Sequence, residues 1–222
     1  MPSDVTIVGQ GSESVVTWHS SVDDRVNEPL FLKTRSGNGL NNVRFESFRI
    51  LCTVDTSDRR DQGRTDHMGI FIDGVGSQFD AGSLQNRNIT MRNLEVSSCG
   101  GHGIHIKGTD TITATGLHMY DNGWADNDLH HNIYYLRVRN ATITDSTFND
   151  SPSGHGMRMG SVEIGTFDNV IVEDNADHGI HFSSSSNVGG IATVEGNCAI
   201  PRGTCQPIAC YGDCDNIGVR RR

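Results

Sequence analysis

Phe71, His105, Tyr134, Arg158 and His181 share one position in a short phrase that the chain repeats five times. The phrases are Gly69-Ile70-Phe71-Ile72-Asp73, Gly103-Ile104-His105-Ile106-Lys107, Asn132-Ile133-Tyr134-Tyr135-Leu136, Gly156-Met157-Arg158-Met159-Gly160 and Gly179-Ile180-His181-Phe182-Ser183. Two residues along, the same repeats carry Asp73, Lys107, Leu136, Gly160 and Ser183. Imidazole, phenol, guanidinium and ammonium in one strip suit proton abstraction beside a carboxylate. A uronate releases its C5 proton only when its carboxylate is neutralised, and Arg158 and Lys107 carry the charge for that. His105, Tyr134 and His181 are the candidates to take and return the proton. Phe71, Asp73, Trp124 and Asn132 are candidate substrate contacts. The competing reading is that outward residues on a sheet are polar and idle.

The elements that must hold this strip follow from the phrase itself. Ile70/Ile72, Ile104/Ile106, Ile133/Tyr135, Met157/Met159 and Ile180/Phe182 alternate with the strip, and period two means a strand with one face buried. The steps between phrases are 34, 29, 24 and 23 residues, a period that marks a repeat architecture. A second strand is expected in each unit, starting from Asn or Asp: Asn42 to Phe45, Asn88 to Met91, Asp110 to Thr113, Asn140 to Ile143 and Asn169 to Val172. Their Thr and Val content favours strand over helix. Two or three strands per unit, stacked unit on unit, predict an all-β parallel β-helix, a solenoid with one shared core. Equivalent residues would then lie about 4.8 Å apart, so neighbouring strip residues reach the same sugar. Residues 1–197 are expected to form the rungs. Residues 198–222 lose the phrase and are expected to be a Cys-rich cap or the start of a further rung.

Composition sets bounds on the partner. Net charge is −9, with two lysines against 16 arginines, which argues against non-specific nucleic-acid binding. A local Arg, Lys and His groove still permits an acidic polysaccharide. No apolar run approaches the length of a membrane span, so no membrane partner is expected. Hydrophobic residues make up 35% of the chain and glycine is frequent at 26, as short strands and tight turns require. Four of six cysteines, Cys198, Cys205, Cys210 and Cys214, crowd the C-terminus without paired C-x-x-C spacing. Disulfides are expected there ahead of metal, with an oxidising, secreted or extracellular compartment. Cys52 and Cys99 occupy similar points of successive units and could stack or bond.

Two further sets merit weighing. His102, His131, His155 and His178 precede the phrases with inward parity, as corner or half-buried residues that bond neighbouring rungs. The loop Asp121-Asn122-Gly123-Trp124-Ala125-Asp126-Asn127-Asp128 offers oxygen ligands for Ca²⁺ through Asp121, Asp126 and Asp128, although it lacks the spacing of an EF-hand. A solvated turn is the simpler reading, and no cofactor is otherwise required. Trp124 could stack on a sugar ring or cover the edge of the coil.

The stacked phrases resemble the right-handed parallel β-helix proteins of the pectate-lyase type over about residues 5–197. That resemblance implies a right-handed coil and a carbohydrate substrate. Lys107, His105, Tyr134, Arg158 and His181 on one sheet resemble the site of polysaccharide lyases and mannuronan C5-epimerases, although the Asp-Pro-His segment of that group is absent. Gly154-His155-Gly156 is similar to the Gly-His-Gly segment of polygalacturonase-like hydrolases, with Asp126 and Asp128 as their carboxyl pair, but two of four signatures are missing. The expectation is a lyase or C5-epimerase of an acidic polysaccharide. A hydrolase, or a non-catalytic tailspike or adhesin segment, is the alternative. The chain is expected to be a monomer, or a trimer in the tailspike case.

Overall fold

A computed structural model of the chain describes residues 4–17, 39–52, 68–74, 84–124, 130–198 and 205–221. Thirteen strands follow in chain order: β1 (Thr6–Val8), β2 (Val15–Thr17), β3 (Asn41–Leu51), β4 (Ile70–Asp73), β5 (Arg87–Ser97), β6 (Ile104–Thr115), β7 (His118–Tyr120), β8 (Ile133–Asn149), β9 (Met157–Glu173), β10 (Ile180–Ser183), β11 (Val188–Glu195), β12 (Ile208–Tyr211) and β13 (Gly218–Arg221). No helix occurs among the described residues. Every strand pairing among them is parallel.

The registers separate into three faces. On the first, Ile70, Ile104, Ile133, Met157, Ile180 and Ile208 stand in one row. On the second, Ile7, Phe45, Met91, Ala114, Ile143 and Phe167 do so. On the third, Val16, Ile50, Val96, Met119, Phe148, Val172 and Val194 do so. These apolar rows converge on one core, fully buried except at its two ends. Each buried Ile, Leu or Phe removed from water contributes about 1.5–3 kcal/mol, so no coil can hold its shape without its neighbours.

Single residues in left-handed geometry turn the corners. Gly108, Arg137, Ser161, Ser184 and Gly212 close the first face, with φ of 62°, 56°, 54°, 50° and 77°. Ser47, Asn93, Gly116, Asp145 and Asn169 close the second, and Ser98, Asp121, Asp150, Asp174 and Gly196 the third. One such residue bends the backbone without ending its pairing, which is how β8 and β9 run for 17 residues each around all three faces. Left-handed geometry costs about 1–2 kcal/mol for a residue with a Cβ, least for Asn and Asp. Stacked side chains offset part of that cost: Asn169 Nδ2 donates to Asp145 Oδ1 at 2.9 Å, and Ser98 Oγ to Asp121 Oδ2 at 2.9 Å.

Asn169 corrects the sequence reading. The sequence pattern groups it with Asn42, Asn88, Asp110 and Asn140 as the start of one recurring strand. Asn169 instead stacks on Asp145 at the second corner, whereas Asn140 pairs with Ile164 on the second face. The segment from Ser161 to Asp168 supplies the second-face strand of that coil and carries no Asn or Asp at its start.

The cysteines pair as Cys52–Cys99, Cys198–Cys205 and Cys210–Cys214. Cys52–Cys99 ties together two coils separated by 47 residues in sequence. Beyond residue 198, β12 still pairs with β10 and β13 with β11.

Candidate functional site

The first face brings the sequence-selected strip together. Phe71, His105, Tyr134 and Arg158 occupy matched positions on β4, β6, β8 and β9, and His181 follows on β10. Their alternates point into the core, so these five point out. The first three rings are in contact. Phe71 and His105 have centroids 5.1 Å apart, and His105 stacks on Tyr134 at 4.6 Å with 18° between planes. The guanidinium carbon of Arg158 lies 5.0 Å from the Tyr134 centroid, a cation–π contact. His181 meets Tyr211 of β12 at 4.9 Å.

Lys107 is engaged locally. Its Nζ donates to Asp73 Oδ2 at 3.3 Å and lies 5.8 Å from the Phe71 centroid. Arg158 differs: among the described residues it forms no ion pair with an acidic side chain, and its buried Nε has no partner. His105 is outward-facing yet only 8% exposed, covered by Phe71, His102 and Tyr134. Burial, reinforced by the Lys107 charge, pulls its pKa down from 6.5 to about 3. Burial and the Arg158 charge pull His181 down to about 4. Both rings are therefore neutral near neutral pH.

Behind the strip stands the histidine row, buried as the inward parity implied. His131 N–H donates to His102 Nδ1 at 3.0 Å, His155 N–H to His131 Nδ1 at 3.1 Å, and Gln206 N–H to His178 Nδ1 at 2.9 Å. Burial first, and neighbouring imidazoles second, hold His102 and His131 well below the usual histidine pKa, hence neutral. A neutral imidazole that accepts at Nδ1 carries its proton on Nε2. His131 Nε2 lies 3.4 Å from Arg158 Nη1, so two N–H donors converge at that point. Converging donors with no acceptor between them suit an anionic oxygen.

Two candidates, Asn132 and Asp121, take internal or corner positions instead of facing a ligand. Asn132 is fully buried: its Nδ2 donates to Asn149 O at 2.9 Å and Asn175 Oδ1 at 3.1 Å, and its Oδ1 accepts from Asn122 Nδ2 at 2.9 Å. It belongs to an internal amide ladder with Asn122, Asn175 and Asn197, not to the substrate face. The glycines beside the phrase serve that interior too. A Cβ at Gly103 would sit 2.9 Å from Asn122 Nδ2 and one at Gly156 2.6 Å from Asn175 Nδ2. Asp121, selected as a Ca²⁺ ligand, turns the third corner and takes the Ser98 hydroxyl. Trp124 Nε1 donates to the Asp121 carbonyl at 2.9 Å. Asp126 and Asp128, named both for Ca²⁺ and as a hydrolase pair, lie outside the described residues. One group among the described residues, His178, Cys198 and Cys205, brings ligand atoms within 4.8 Å of one another, but the two sulfurs are bonded to each other.

Sequence reasoning missed the link between the two columns. His181 Nδ1 lies 2.8 Å from His155 Nε2, and His155 Nδ1 lies 3.5 Å from Asp177 Oδ2. The signal was present, since Asp177 directly precedes the His178-Gly179 step, where the other repeats carry His130, Gly154 and Gly101.

The comparisons with known proteins agree with this architecture. The family model described as a right-handed beta helix region matches residues 52–221. The chain therefore belongs to the right-handed β-helix family. No curated protein and no solved structure matches it.

Proposed function

We propose that the stacked coils form a continuous solenoid whose first face binds an acidic, uronate-containing polysaccharide and acts on it by β-elimination or C5-epimerisation. The observation that carries this reading is Arg158. A half-buried guanidinium, without an acidic partner among the described residues, rests on an aromatic ring between two neutral imidazoles. Arg158 would hold the uronate carboxylate, with His131 Nε2–H as a second donor. His181 would take the C5 proton, and the Tyr134 hydroxyl would return a proton to the leaving oxygen or to the opposite ring face. Phe71 would stack on a neighbouring sugar. The Asp73–Lys107 pair would border the groove, with Lys107 released to a second carboxylate when a polyanion binds. The family's architecture is one that carbohydrate-active proteins use generally, and the disulfides suit an extracellular setting.

The test is incubation with alginate, pectate and glycosaminoglycans, followed by ultraviolet absorbance for unsaturated ends and NMR for proton exchange at C5. Unsaturated ends select the lyase, and exchange without cleavage the epimerase. New reducing ends without unsaturation select a hydrolase. Binding with neither leaves a glycan-binding module, and no binding at all overturns the reading.

A further inference from the structure

The histidine row has one exception, and it falls beside His181. His102 and His131 each accept a backbone N–H from the following coil at Nδ1, and His178 Nδ1 meets both the N–H and the carbonyl of Gln206 there, at 2.9 and 3.0 Å. His155 does not. The N–H that should reach it, that of His178, donates instead to Asp177 Oδ1 at 2.8 Å. The other carboxylate oxygen, Oδ2, lies 3.5 Å from His155 Nδ1, within ion-pair reach though outside hydrogen-bond geometry and with no other partner for that nitrogen, and Oδ1 lies 3.8 Å from His178 Nε2. Asp177 is 6% exposed and His155 3%, so water does not mediate this choice from bulk.

A carboxylate presents only lone pairs, and a second lone pair on Nδ1 facing it would be repelled. The single proton of neutral His155 therefore sits on Nδ1, the reverse of His102 and His131. His155 Nε2 becomes an acceptor. Two neutral imidazoles 2.8 Å apart need one donor and one acceptor, so His181 Nδ1 donates. That leaves the lone pair of His181 on Nε2, a buried atom with no partner in the protein.

We propose that Asp177 is a positioning residue: through His155 it fixes the tautomer of His181 so that Nε2 is the proton acceptor of the site. This rests on the reading of the first face as a proton-transferring site. When Nε2 takes the substrate proton, His181 becomes an imidazolium whose Nδ1–H still points at His155, and the Asp177 carboxylate stabilises that charge across one ring. In this step the C5–H bond breaks and the Nε2–H bond forms, and the C–H electron pair passes into the substrate carboxylate as an enediolate whose charge Arg158 faces.

The decisive experiment is isotope-edited NMR of the imidazole nitrogens in the full chain near neutral pH. The expected result is an Nδ1–H tautomer at His155 and His181 and an Nε2–H tautomer at His102 and His131. In Asp177→Asn the amide oxygen keeps the His178 N–H and the amide nitrogen turns a donor toward His155. His155 and His181 should then both switch to Nε2–H, and turnover should fall about 10²- to 10⁴-fold in kcat with little change in KM. An Nε2–H tautomer at His155 in the wild type overturns the proposal, whether or not the variant folds. Tautomers as expected with no turnover on any uronate polymer keep the positioning and reject the proposed function. A wild-type match with unchanged kcat in Asp177→Asn rejects the role of Asp177.

Discussion

Two polar ladders thread the same coils, one of asparagines (Asn122, Asn132, Asn175, Asn197) and one of histidines (His102, His131, His155, His178). Both are buried or nearly so, and both accept backbone N–H groups from a neighbouring segment. They differ in what is left over. An amide spends its donors and acceptor within the ladder: Asn175 Nδ2 reaches Phe148 O, Glu173 O and Asn197 Oδ1, while its Oδ1 accepts from Ser151 and Asn132. His131 and His178 spend Nδ1 on the ladder and present Nε2 to Arg158 or Tyr211, and His155, outside the ladder at Nδ1, presents Nε2 to His181. The asparagine ladder is closed and structural, whereas the histidine ladder is open on the side where chemistry is proposed.

Acid should separate the two most sharply. His102, His105, His131, His155 and His181 all bind a proton more weakly in the folded chain than the usual 6.5, chiefly through burial. As pH falls through 6.5 the unfolded chain protonates first, so stability declines from there toward the folded values, about 4 for His181 and about 3 for His105. Each fully buried group among them can contribute up to about 1.4 kcal/mol per pH unit, and the half-buried His181 less because water screens it. Denaturant midpoints measured across this range should drop steeply, while amides are indifferent to it. A flat profile would mean that the histidines are not buried as described.

Removing an amide should cost less, and at every pH. Asn175→Ala strands the Ser151 N–H, which its oxygen accepts, together with several carbonyls, at about 1–3 kcal/mol for each group left unsatisfied. A loss of about 3–5 kcal/mol in urea unfolding is expected. Arg158→Ala should do the opposite: stability within about 1 kcal/mol of wild type, but uronate-oligomer affinity down about 10- to 100-fold by calorimetry, as the loss of a charge-assisted contact implies. An Arg158 variant as unstable as the Asn175 variant would erase the distinction between the ladders.

How much of this was legible follows the same division. The Ile, Met and Tyr alternation of the phrases gave the first face and its outward column, because period two is a local property. Asn169 was misassigned because the Asn or Asp signal appears at more than one corner, so it marks a left-handed turn without saying which. Asn132 was misplaced because it stands where the other phrases have glycine. Its inward direction is set by Ser151, which has no amide and leaves a gap that Asn132 fills from the adjoining segment. Asp177 is legible only as a break in the residues that precede each histidine: its effect passes through His155, a ring from the preceding coil, before returning to His181.

The smallest effect belongs to the pair at the edge of the strip. Lys107 and Asp73 are each about one quarter exposed, 26% and 25% by side chain, and their contact is 3.3 Å. An ion pair so placed contributes about 0–1 kcal/mol, because water screens it and two flexible side chains must be held. Asp73→Asn should therefore leave urea stability within about 1 kcal/mol of wild type. It should also strengthen uronate-oligomer binding by no more than about fivefold, since Lys107 loses a competitor for the substrate carboxylate. Titration at low and high salt checks the cause: the gain should shrink as salt rises, because it is electrostatic and near the surface. A loss of binding instead would show that Asp73 itself touches the sugar, and the boundary of the open ladder's site would move outward to include it.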